Sequence, residues 1–206
     1  MNLFCQRRNG LLLLAVLAIV VAGGVFWWTN RTEPYQFKGG EISPAAIAPP
    51  LDLTDQDGNP FTLAQQKDKV SLIYFGYTTC PDLCPTTLND FAIVKDELGE
   101  EAAKADFILV TFDPERDTET RLKEYLNFFD PDFIGLYGND VQTQQFLQDY
   151  GVTIKRVEYP NSSTGYLIDH TALIYVVDKE GRLRLTYPYG TDPLMIVEDV
   201  NYLVKE

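Results

Sequence analysis

Cys80 and Cys84 stand four residues apart in Thr79-Cys80-Pro81-Asp82-Leu83-Cys84-Pro85, and the only other cysteine of the 206 residues is Cys5. A pair this close encloses a tiny loop, so a disulfide between them gains little from loop-closure entropy. Such a pair is better suited to chemistry: reversible disulfide formation, or ligation of one ion by two thiolates. The chain holds one histidine, His170, in Asp169-His170-Thr171. Two soft thiolates and an imidazole suit copper, above all Cu(I), whereas structural zinc takes four protein ligands. Methionine adds nothing to the set, since Met1 and Met195 are the only two.

The elements around these residues must bring them together. Residues 70–75 form a short apolar run rich in β-branched and aromatic side chains, which reads as a buried strand ending just before Cys80. Proline is tolerated in the first turn of a helix and costly deeper in it. The next helix is therefore expected to begin near Pro85, with Cys80 to Cys84 in the preceding loop and Cys84 at or near the N-cap, where the helix dipole favours a thiolate. Residues 107–112 read as a second buried strand, and 133–137 as a third. Leu122, Tyr125, Leu126 and Phe129 recur at helical spacing, and residues 140–150 form another short helix. Residues 51–63 read as an N-terminal β-hairpin turning at Asp57-Gly58-Asn59-Pro60. Residues 152–159 are an excursion strand before a polar turn at 161–163. Residues 172–177 and 183–187 pair as a hairpin before a closing helix over 193–204. Strands alternating with helices, then a hairpin and a last helix, define an α/β, thioredoxin-like order: βαβ plus ββα around a central mixed sheet. Sites on such sheets form at the carboxyl ends of the parallel strands. His170 is expected in the loop before the strand 172–177, facing the cysteines. Asp113, at the end of the strand 107–112, lies on the same side of the sheet. It either orients a ligand or modulates charge near the metal, or only caps the turn into Pro114.

The first thirty residues have another character. Residues 11–28 carry no charge, follow Arg7 and Arg8, and end in Trp27 and Trp28. Eighteen residues give roughly 27 Å of helix, enough to span the hydrocarbon core of a bilayer. Basic residues mark the cytoplasmic flank, so residues 1–10 are expected inside, residues 11–28 as a transmembrane anchor, and the remainder outside. A cleaved signal segment is the alternative, and it too exports the domain. Residues 29–50, with Pro34, Gly39, Gly40, Pro44, Pro49 and Pro50, read as a linker. Residues 51–206 are of single-domain size. Beyond the anchor 15 bases face 30 acids, a net charge of −15. That field repels nucleic acid, which is excluded as a partner.

The run Phe75-Gly76-Tyr77-Thr78-x-Cys80-Pro81-Asp82-x-Cys84-Pro85-Thr86 resembles the signature of the Sco/SenC family of copper chaperones. Phe112-Asp113-Pro114-Glu115-Arg116-Asp117-Thr118 resembles its second motif and Asp169-His170-Thr171-Ala172 its histidine motif, in the family's order and spacing. The resemblance implies that Cys80, Cys84 and His170 are the copper ligands. It also implies that the protein delivers copper to, or reduces thiols at, the dinuclear copper site of cytochrome c oxidase subunit II. A thiol reductant or copper donor would then be a further partner. With no transit peptide ahead of the apolar run, the expected location is the bacterial inner membrane, the domain facing the periplasm.

An enzyme is the competing reading: a thiol–disulfide oxidoreductase cycling Cys80 and Cys84. Against it, the dithiol is one residue longer than the redox motif Cys-x-x-Cys, and Asp169-His170-Thr171 stands where thioredoxins place a proline. A peroxidase is disfavoured by Tyr77, since peroxiredoxins place threonine three residues before the reactive cysteine. A third reading makes the dithiol a structural staple of an interaction module.

Overall fold

The computed structural model describes residues 17, 19–28, 34–162 and 164–206. It divides into two units, Met1–Gln36 and Phe37–Glu206. In the first, residue 17 and residues 19–28 are helical with exposed side chains. Among the described residues no helix is long and apolar enough to cross a membrane. Residues 11–16 and 18 of the expected anchor over 11–28 lie outside the described residues.

The second unit is built on an eight-stranded mixed sheet. Its strands are β1 (Gly40–Ile47), β2 (Asp52–Asp55), β3 (Pro60–Thr62), β4 (Val70–Gly76), β5 (Ala105–Thr111), β6 (Ile134–Tyr137), β9 (Leu173–Val177) and β10 (Arg182–Pro188), in the order β1-β10-β9-β4-β5-β6-β2-β3. β4, β5 and β6 run parallel at the centre, and β9 joins β4 antiparallel. Every residue of β4 and β5 is buried, as expected of parallel strands covered on both faces. Helix α1 (Leu83–Leu98) connects β4 to β5, and α2 (Glu119–Asn127) connects β5 to β6. Helices α3 (Asp140–Asp149) and α4 (Pro193–Lys205) complete the unit, α4 packing on α1. Side chains alternate across a strand. Phe75 stacks on Phe146 of α3 at 5.4 Å, whereas Gly76 faces Cys84 of α1, so α1 and α3 cover opposite faces.

Three expectations need correction. The stretch read as a linker over 29–50 contains β1, which pairs antiparallel with β10 at the edge of the sheet. Its side chains are almost all exposed, so it lacks the apolar alternation that betrays a strand, and Pro44 sits within the register break between Glu41 and Ala46. Second, α1 begins at Leu83 with Asp82 as N-cap. Pro85 is then the third helical residue, whose N–H has no intrahelical partner, so the ring costs no hydrogen bond. The first such bond runs from Thr86 N–H to the Asp82 carbonyl at 3.3 Å. Cys84 therefore belongs to the first helical turn rather than to the loop. Third, the excursion strand β7 (Ile154–Tyr159) has a partner, β8 (Gly165–His170), in a separate two-stranded sheet. His170 ends a strand instead of lying in a loop.

Candidate metal centre

Tyr74 and Gly76 on β4 form the floor of the centre. A Cβ added to Gly76 would lie 2.9 Å from the Cys84 sulfur and 3.0 Å from the Tyr74 ring, so only glycine leaves room for the thiol. Cys84 is fully buried against this floor, and the Tyr74 hydroxyl donates to its sulfur at 3.9 Å. Past β4 the chain turns, Cys80 N–H bonding to the Tyr77 carbonyl at 3.3 Å, and Cys80 comes up half-buried beside Cys84.

Asp117 anchors that turn. Its carboxylate accepts the Thr78 N–H at 3.0 Å, the Thr78 hydroxyl at 2.5 Å and the Thr111 hydroxyl at 2.5 Å. Burial pushes its carboxyl up from the ordinary value, while the donors from Thr111 and Thr78 oppose that push. Arg121 adds bonds to the Thr78 hydroxyl at 2.6 Å and the Thr79 hydroxyl at 3.2 Å.

The imidazole comes from β8. His170 stands among Phe112, Tyr74 and Tyr77, with ring centroids 5.1, 6.0 and 6.0 Å away. Nδ1 lies 3.0 Å from the Thr171 carbonyl, which can only accept, so Nδ1 carries a proton and Nε2 is the nitrogen turned toward the sulfurs. A carbonyl partner on the far nitrogen is the usual way to orient a metal-binding histidine. Nε2 lies 3.7 Å from the Cys84 sulfur, and the ligand atoms of Cys80, Cys84 and His170 all fall within 4.8 Å of one another. With bonds as long as those of zinc, about 2.3 Å to sulfur and 2.0–2.1 Å to nitrogen, trigonal ligation asks for a sulfur–nitrogen separation of about 3.8 Å. The three donors thus fit one ion without large movement, and they are the only such group of three among the described residues.

The two thiols differ. Cys80 is lowered to about 4, first because the Cys84 thiol donates to it; His170 and the N–H groups of Asp82 and Cys84 add to the effect against partial burial. Cys84 is raised well above the ordinary thiol value, by burial first and then by its neighbour Cys80. The reduced pair therefore holds one proton, on the inner sulfur.

Asp113 is not among the three donors. Its Oδ2 contacts Nε and Nη2 of Arg116, both at 2.6 Å, the first as a hydrogen bond and the second as an ion-pair contact. Its Oδ1 accepts the Tyr166 hydroxyl at 2.6 Å. The carboxylate faces the hairpin that carries His170. Sequence reasoning missed Gly76, Arg116, Asp117 and Tyr166. All but Tyr166 lie in the first two of the three motifs quoted above, so the motifs marked them without giving their jobs.

A thioredoxin-like sheet with two free thiols and an imidazole converging at the carboxyl end of its central strand is a metal-binding variant of that fold. The SCO1/SenC family model matches residues 39–205. The SCO2-like protein of Rickettsia felis (strain ATCC VR-1525 / URRWXCal2) is 30% identical over 198 residues, covering 94% of this chain and 97% of its own length. The structure of Bradyrhizobium japonicum ScoI with copper bound is 39% identical with a TM-score of 0.70, covering 77% of this chain and 99% of that one. Yeast Sco1 with copper bound is 32% identical with a TM-score of 0.68, covering 78% and 90%. The chain belongs to the SCO1/SenC family.

Proposed function

We propose that this chain is a membrane-anchored copper chaperone that binds one copper ion through Cys80, Cys84 and His170. It delivers that copper to, or reduces the thiols of, the dinuclear copper site of cytochrome c oxidase subunit II. The observation that carries the reading is the convergence of three donors, distant in sequence, within 4.8 Å. Two relatives with copper bound, at 39% and 32% identity, support the choice of metal. The family works in the assembly of cytochrome c oxidase, which supports the choice of partner. The apolar run over 11–28, with its basic flank, supports an anchor in the bacterial inner membrane with the metal centre outside the cytoplasm.

The chemistry follows from the donor set. Thiolates hold Cu(I) on their own, and the imidazole completes a site able to hold Cu(II) as well. Metal loading requires both thiols reduced, so oxidation of the pair would shut the site. A second reading, thiol–disulfide exchange as the main activity, is favoured by the half-exposed Cys80 thiolate beside a buried partner thiol.

The test is an anaerobic copper titration of the reduced full-length chain in detergent, beside its His170→Ala variant, with insulin reduction assayed in parallel. One copper per chain is expected, and the variant should lose Cu(II) far more than Cu(I) while disulfide exchange hardly changes. Strong reductase activity indifferent to His170, with copper held no tighter than by a control protein, would establish the enzyme instead.

A further inference from the structure

The hairpin that supplies His170 is not part of the main sheet: among the described residues β7 and β8 pair only with each other. At its base Thr171 N–H bonds to the Thr153 carbonyl at 3.0 Å, and Thr153 N–H to the Thr171 hydroxyl at 3.1 Å. Something else must set the roll of β8. Tyr166, Ile168 and His170 alternate along the strand and so share one face. A rotation of β8 about its own axis turns all three together, and the imidazole with them.

That face is gripped by polar groups. The Ile168 N–H donates to the Tyr77 hydroxyl oxygen at 2.9 Å. Arg116 Nη1 donates to two hairpin carbonyls, Thr164 at 3.0 Å and Tyr166 at 2.9 Å, while its Nε is held by Asp113. The guanidinium of Arg116 also lies 3.5 Å from the Tyr166 ring centroid, as does that of Arg156. Two guanidinium groups at that distance must take opposite faces, so the ring is sandwiched. The Arg116 side chain is 19% exposed and that of Asp113 3%, so this ion pair is largely shielded from water. A planar fork spreads five donors over three nitrogens and can reach a carboxylate and two carbonyls set apart in space; an ammonium gathers its three donors on one nitrogen.

We infer that Arg116 is a positioning residue for His170: held by Asp113, its guanidinium fixes the roll of β8 so that Nε2 meets the two sulfurs. The inference rests on the copper reading above and adds a residue to it that touches no ligand atom. Removing such an outer group typically costs about 10–100-fold in metal affinity.

The experiment uses the reduced full-length chain in detergent as wild type, Arg116→Ala, Arg116→Lys, His170→Ala and Arg116→Ala/His170→Ala. Cu(II) affinity is read by competition with a chromophoric chelator, and the sulfur-to-copper charge-transfer band by absorption. Hydrogen exchange of the peptide spanning Gly165–His170 is followed without metal. We expect Arg116→Ala to weaken Cu(II) by at least about tenfold and to shift the band toward that of His170→Ala. In the His170→Ala background the same substitution should cost nothing further. Exchange across β8 should quicken while β4 and β5 stay protected. Arg116→Lys, which keeps the charge and the fold, should fall near Arg116→Ala. Equal losses with and without His170, or a wild-type band in Arg116→Ala, would overturn the inference. If the wild type binds no copper the chaperone reading falls, and exchange alone then decides the clamp: faster exchange in β8 upholds it and unchanged exchange removes it.

Discussion

The two halves of the centre are built by different forces. The cysteine half grows out of the core: Cys84 is fully buried against Gly76 and Tyr74, and β4 beneath it is buried along its whole length. Burying each large apolar side chain there contributes about 1.5–3 kcal/mol, so the thiols are placed by packing. The histidine half is a satellite hairpin: β7 is mostly exposed, Tyr166 and Ile168 of β8 reach the core, and hydrogen bonds to residues 77, 113 and 116 hold it in place. Packing places a group rigidly and at high energetic stakes. Polar ties place it just as definitely, but they can be loosened one at a time without unfolding the domain. The difference fits the proposed role, in which the site accepts an ion and gives it up.

The largest effect that could break this contrast is chemical. With the ordinary thiol value of 9.0, a cysteine at pH 6 is about 0.1% thiolate. Cys80, lowered to about 4, is ionised there, while Cys84 is raised and protonated. Iodoacetamide at pH 6 on the reduced, metal-free protein should label Cys80 and spare Cys84, as mapped by peptide mass spectrometry. The gain in rate will be smaller than the gain in thiolate, since nucleophilicity falls with basicity. The pH dependence of stability follows with opposite signs from the two sulfurs. The lowered Cys80 contributes stability that is present above its unfolded value of 9.0 and is lost as pH falls through about 4. The raised Cys84 favours the folded state while it keeps its proton, and that contribution is lost as pH rises above 9.0. Equal labelling of both thiols at pH 6 would mean that the inner sulfur is not held by packing at all.

The sequence is legible where physics is local. The buried strands over 70–75 and 107–112 lie within a residue or two of β4 and β5. His170 could be singled out because it is the only histidine. What stayed hidden depends on distant partners. β1 is an exposed edge strand with a proline, and only its pairing with β10 makes it a strand. β8 was lost in the turn before it, although Tyr166 and Ile168 already showed the alternation. Asp113 could be seen as chemically promising, but which way its carboxylate turns depends on Tyr166, 53 residues later. The grip of Arg116 on the hairpin spans 48 and 50 residues and leaves no periodic trace.

The next effect in size belongs to the packed half. Gly76→Ala forces a methyl group to within 2.9 Å of the Cys84 sulfur and 3.1 Å of Leu109, both fully buried. Overpacking of this kind costs about 1–3 kcal/mol, to be read as a lower denaturant midpoint of the metal-free protein. Copper affinity should fall with it, because the sulfur must move. A variant as stable as wild type with copper binding intact would show that the thiol sits loosely, and the contrast between the halves would disappear.

The smallest effect sharpens the contrast within the hairpin itself. Arg156 and Arg116 stack on the same ring at the same distance, 3.5 Å. Their surroundings differ. Arg156 is 46% exposed, and its ion partners Glu115 and Glu158 are 68% and 60% exposed, so water screens those pairs and they contribute little. It makes no bond to the hairpin backbone comparable to those of Arg116 to Thr164 and Tyr166. Arg156→Ala should therefore leave the thermal midpoint where it was and quicken exchange across β8 less than Arg116→Ala does. If the two variants loosened the hairpin equally, stacking on Tyr166 would be what holds it. The carbonyl bonds and the Asp113 pair would then be incidental. If Arg156→Ala is silent, the grip comes from the buried fork, and the exposed arginine only covers the other face of the ring.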